Sequence, residues 1–177
     1  MTISMHRITV PVYDQMLTNL DFVLARGAEF ATDKGLDEGE LLERRFAPDM
    51  FTLGHQVDRA CFHARLAVAK LANIEPPALP EALATDIADA RARIADTLTF
   101  IRGVAPDAMA GDPERDVTIT VRLGDITLSA IDYALQIAQA QVYFHCTTAY
   151  DLLRAEGVQI GKIDFLGKVM KDAFADK

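Results

Sequence analysis

The chain has 177 residues, half of them apolar and a quarter charged, which is the composition of one globular domain able to bury a core without disulfides or a structural metal. Lys and Arg number 18 against 26 Asp and Glu, a net charge of -8, which argues against an electrostatic grip on nucleic acid or an anionic membrane. Two cysteines are too few for a disulfide scaffold, no apolar run approaches the roughly 20 residues of a membrane span, and the opening MTISMHRITVPVYDQM lacks the build of a signal peptide, so the expected address is the cytoplasm.

A single domain over residues 1–177 is expected, with four long helical stretches and one β-hairpin. The first helix runs from about Thr9 or earlier to about Asp33, with Tyr13, Leu17, Leu20, Leu24 and Ala31 on one apolar face. Pro11 should bend it if it starts before His6. Lys34-Gly35 is a stop signal. A short helix follows at Asp37 to Phe46, and Ala47-Pro48 ends it.

The second helix is expected from Asp49, as its cap, to near Asn73. Leu53, Val57, Ala60, Ala64, Val68 and Leu71 share one side. His55, Phe62, Leu66 and Ala69 form a weaker apolar line opposite, which implies a central position or a cover supplied by another chain. Pro80 is expected in the first turn of the third helix. Leu83, Ile87, Ala90, Ile94, Leu98 and Ile101 give that helix its core stripe, and Asp86, Asp89, Asp96 and the intervening arginines give it a solvated face.

At Asp116 to Ser129 the period changes to two. Val117, Ile119, Val121 and Leu123 alternate with Thr118, Thr120 and Arg122, and Gly124-Asp125 turns the chain into a returning strand. An isolated hairpin is marginal in water and needs helices or a partner to cover it. The fourth helix starts at Ser129 and ends at Gly157. Ala134, Ala138, Val142, His145, Ala149 and Leu152 lie on one face, with Gln141 at its edge. A loop over Lys162 to Leu166 and a last helix from Lys168 to Phe174 complete the reading. Long helices with short connectors pack as an antiparallel bundle.

Particular residues carry a resemblance. These are Ser4-Met5, Val10-Pro11-Val12, Ala47-Pro48-Asp49-Met50-Phe51, Phe144-His145, Thr147-Thr148-Ala149-Tyr150, Gly157-Val158, Gly161-Lys162 and Asp164-Phe165-Leu166-Gly167. Over nearly its whole length the chain resembles the bacterial family called domain of unknown function nineteen-ninety-three, itself similar to the DinB/YfiT-like superfamily. The resemblance implies an all-α, DinB/YfiT-like antiparallel four-helix bundle, up-down-down-up and frequently dimeric, here with a small β-hairpin between helices three and four. It also implies a divalent metal (zinc, nickel or manganese) held by three histidines, one from helix two and a His-x-x-x-His pair from helix four. In some members that metal activates a low-molecular-weight thiol in transferase chemistry.

Carried onto this chain, His55 stands near the helix-two position and His145 at the second helix-four position. Gln141 stands where the first histidine of the pair would be, and its amide oxygen is a poor replacement for imidazole on zinc or nickel. The candidate metal set is therefore His55, His145 and Gln141, in a pocket between helices two and four. The leading expectation is a homodimer with a degenerate metal site and thiol-dependent transferase-like chemistry. The alternative is a non-enzymatic dimeric binding or interaction module whose metal site has decayed, with a small-molecule ligand. His63, on the polar side with Arg59 and Lys70, is expected to be solvated. Cys146 points about 100° away from His145, which argues against a Cys/His nucleophile. No phosphate loop, GxGxxG, GxSxG or HExxH supports nucleotide-dependent or hydrolase chemistry.

Overall fold

Ser4 opens the first helix by accepting the Arg7 amide on its hydroxyl at 3.3 Å. The computed structural model describes residues 4–173, and in it α1 spans Met5–Lys34, with Pro11 inside and Gly35 closing it at φ 65°. Thr9 is thus an interior residue, bonded back to the Met5 carbonyl at 2.7 Å. The helix α2, Glu38–Leu42, is capped by Asp37. Next, α3 spans Leu53–Ala72. Its cap is Thr52 and not the expected Asp49, because the Thr52 hydroxyl accepts the His55 amide. Asn73 ends α3 in the left-handed conformation, at φ 55°.

The third long helix, α4, spans Ile87–Gly103 and so begins well after Pro80. Asp86 caps it at 2.7 Å, and the Glu38 carboxylate accepts the free Ile87 amide at 3.0 Å. The proline-rich segment ahead of it is engaged elsewhere. Buried Arg65 of α3 reaches the Pro77 and Ala78 carbonyls, both at 3.4 Å, while its Nε donates to Thr97 at 2.9 Å. The expected solvated face of α4 holds at Asp86, Asp96 and Arg102, which are exposed, but not at Arg93, which is only 6% exposed and bridges Asp58 of α3 and Asp89. Arg91 and Arg102 pair with Asp21 and Asp14 of α1.

After a short 3₁₀ turn at Pro106–Met109, strands β1 (Asp116–Val121) and β2 (Gly124–Ser129) pair antiparallel, with Ile119 opposite Ile126. Val117 and Ile119 are buried, whereas Leu123 at the tip is 89% exposed. Ser129 caps α5, Ala130–Asp132. The helix then runs through a π-helical stretch, Tyr133–Ala138, into α6, Gln139–Glu156, which Gly157 terminates at φ 103°.

The segment expected as a loop after Gly161 is instead a helix, α7, Lys162–Leu166. The Gly161 amide donates to Asp164 at 2.9 Å. Asn19 and Gln15 of α1 donate to the Phe165 and Leu166 carbonyls at 2.8 and 3.0 Å. Gly167 lies so close that any Cβ there would collide with the Asn19 carboxamide. The last helix, α8, spans Lys168–Ala173, and its expected end at Phe174 lies outside the described residues.

The molecule is mostly helical with one small antiparallel sheet. The apolar stripes expected on the first, second and last long helices are buried as read, as are Ile87, Ala90, Ile94, Leu98 and Ile101 on α4. The helix α1 packs on α3, α4 and α6, and α3 packs on α4 and α6. No helix among the described residues is long and apolar enough to cross a membrane.

Candidate functional site

On α3, Arg59, Phe62, His63 and Leu66 occupy positions i, i+3, i+4 and i+7, which is one face of a helix. That face is the weaker apolar line of the sequence with its polar flanks added. Opposite it run Tyr133, Ile137 and Ala138 of the π-helical stretch, then Gln141 and His145 of α6. Strand β1 supplies Ile119 and the hairpin turn supplies Arg122. Together with Phe51, ahead of α3, these residues enclose a cavity of about 460 Å³. The expected pocket between the second and fourth long helices thus exists, with the hairpin as a third wall. A π-helical turn widens the helix locally and shifts the side chains that follow it, a feature frequent at functional sites.

His145 is 4% exposed, and its Nδ1 lies 2.7 Å from Oε1 of Gln56, itself 1% exposed. The Gln56 Nε2 donates to the Phe51 carbonyl at 3.3 Å, which fixes the amide orientation. Its oxygen must then accept, so His145 carries its proton on Nδ1 and keeps a lone pair on Nε2. Desolvation first, and the Arg59 charge second, hold the His145 pKa down at about 4.

The structure corrects the expectation for His63. Its ring lies parallel to that of His145 with centroids 5.3 Å apart. Arg59 lies 3.1 Å from its Nε2. A guanidinium can only donate, so Nε2 accepts and the His63 proton is on Nδ1. Burial, then Arg59, then His145 push its pKa down to about 3. Arg59 also lies over the Phe62 ring at 4.3 Å. The site therefore holds two neutral imidazoles at physiological pH beside a permanent cation. Such rings are poor proton carriers near pH 7 but constant hydrogen-bond acceptors.

His55 is placed differently. Its ring stacks on Phe51 at 5.2 Å, its Nδ1 meets the Thr52 hydroxyl at 3.1 Å, and it does not line the cavity. Of the three candidate metal residues, His145 and Gln141 share the cavity and His55 stands outside it. Three observations make the donor set a poor fit for a divalent metal. The His63 nitrogen that faces Arg59 is occupied by a cation. Among the described residues lining the cavity there is no carboxylate. No group of three or more His, Cys, Asp or Glu among the described residues is arranged to hold a metal.

Both thiols are sealed. Cys61 and Cys146 are buried and unbridged. Burial pushes Cys61 up to about 12 and Cys146 higher still, so neither supplies a thiolate near neutral pH. Reasoning from the sequence missed Gln56, Arg59, His63 and the hairpin wall. The available signal was the Arg59/His63 pair flanking Phe62 and Leu66 on one helical line.

A crystal structure of a DinB family member protein from Shewanella denitrificans is similar to this chain, with a TM-score of 0.84 and 34% identity, over 92% of this chain and 91% of that one. No curated protein matches the chain. The family model described as Domain of unknown function (DUF1993) matches residues 5–166. The chain belongs to that family and has a DinB-like fold.

Proposed function

We propose that the protein is a small-molecule-binding module in which a DinB-like metal site has decayed into an organic ligand pocket. The observation that carries this reading is the state of the donors around the cavity. Arg59 has taken the His63 nitrogen, His55 has turned to Thr52 and Phe51, and Gln141 stands beside His145. What is left is a mostly apolar cavity of about 460 Å³, within the usual size range for small-ligand sites. Polar groups remain for a ligand: the Nε2 acceptor of His145, and the Gln141 amide, which has no hydrogen bond to any described residue.

A second reading keeps a degenerate divalent-metal site serving thiol-dependent transferase chemistry. It is favoured by Gln141 and His145 lining one cavity one helical turn apart. Thermal melting separates the two. On the first reading a neutral aromatic probe such as 2-naphthol raises the melting temperature, while zinc, nickel and manganese leave it unchanged. Stoichiometric metal after gentle purification, or a metal-dependent rise lost in His145→Ala, overturns the first reading in favour of the second.

A further inference from the structure

The cavity runs against the charge of the molecule. The chain carries 26 acidic and 18 basic residues, yet the cavity lining includes Arg59 and Arg122 and, among the described residues, no Asp or Glu. Arg59 is half-buried and, among the described residues, is ion-paired to no carboxylate and has one polar contact, the His63 nitrogen at 3.1 Å. Arg122, exposed at the hairpin turn, also has no ion pair among the described residues. Asp125 of β2 accepts the Thr120 hydroxyl at 2.7 Å and lies outside the lining.

A partly desolvated guanidinium without a counter-charge is unfavourable unless an anion comes to it. Its planar fork matches a carboxylate, and four of its five N–H groups remain free of His63. The neutral rings of His63 and His145 add no positive charge to that of the two guanidiniums. The remaining walls are aromatic and aliphatic.

We propose that this cavity binds a small amphipathic carboxylate, its head against Arg59 and Arg122 and its aromatic or branched body along Phe51, Phe62, Leu66 and Ile137. The proposal rests on the ligand-pocket reading and adds the ligand's charge and class to it. Binding is by ion pairing, hydrogen bonding and burial, with no covalent step.

The test is calorimetric titration of the full chain with naphthalene-2-carboxylate, its neutral amide and inorganic phosphate. The carboxylate is expected to bind about tenfold or more tighter than the amide, as a charge-assisted hydrogen-bond pair predicts. Arg59→Gln abolishes that preference and Arg59→Lys restores part of it. Arg122→Gln, at an exposed position of the hairpin turn, weakens the carboxylate alone. Equal binding of amide and carboxylate overturns this inference and leaves the ligand-pocket reading standing. Phosphate binding as tightly as the carboxylate overturns the amphipathic class. Binding of neither aromatic probe overturns both readings.

Discussion

The hydrogen bond between His145 and Gln56 decides what the site can do. It is short, buried and directional, and it sets the tautomer that leaves Nε2 toward the cavity. Gln56→Leu keeps the volume and removes the acceptor, so a buried Nδ1–H is left without a partner. The expected loss is about 1–3 kcal/mol of stability, read from urea unfolding. An unchanged unfolding midpoint would mean that the pair contributes nothing.

The same residues set a pH dependence. The folded rings of His145 and His63 titrate at about 4 and about 3, against about 6.5 for an unfolded histidine. Between those values the unfolded chain binds protons that the folded chain refuses. Stability is therefore full above about pH 6.5 and falls as the pH drops toward 3. Urea midpoints measured from pH 7.5 to 4.5 check this. Replacing both histidines with Gln should flatten the slope, and an equal slope in the variant would assign the effect to other groups.

Elements were legible in the sequence where period and caps agreed. The stripe from Ala134 to Leu152 and the stop at Gly157 follow from spacing and from glycine's tolerance of positive φ. The hairpin followed from a change of period. Errors fell where tertiary partners choose between local options. The start of α4 moved because Glu38, remote in sequence, caps Ile87. The segment α7 became helical because Asn19 and Gln15 hold its carbonyls. Helix phase alone places His63 on the polar side, because it cannot see a ring brought across from α6. The π-helical turn has no local sequence rule that would have announced it.

Gly167→Ala combines a positive φ of 68° with a collision at Asn19. It should release α7 from α1, which hydrogen exchange would register as faster exchange over α7 with the rest unchanged. Arg93→Ala strips the counter-charge from Asp58 between α3 and α4. The expected loss is about 3 kcal/mol, measured by urea unfolding, and a loss smaller than that of a surface pair would contradict it.

At the scale of the molecule, two features had pointed to a homodimer: the second apolar line of α3 and a hairpin in need of a cover. Within one chain they meet, since Phe62 and Leu66 line the same cavity as Ile119. Apolar surface remains exposed on both, at Phe62 on α3 and at Leu123 and Ile126 on the hairpin, where the proposed second copy would have a face to cover. Light scattering at micromolar concentration tests the proposed homodimer: the mass of two chains is expected, and the mass of one chain contradicts it. The candidate site was half legible for a related reason. His145 and Gln141 could be placed from one helix alone, whereas the partners that define their chemistry, Gln56 and Arg59, come from another.

On the proposed reading, His145 is a neutral, Gln56-held hydrogen-bond acceptor in an organic ligand pocket. With only four histidines in the chain, nitrogen-15 NMR of the imidazoles addresses it directly, before and after an equivalent of zinc. A neutral Nδ1–H tautomer for His145 at pH 7 and an Nε2 resonance unchanged by the metal are expected. A protonated ring, the opposite tautomer, or an Nε2 resonance displaced by zinc coordination would contradict it.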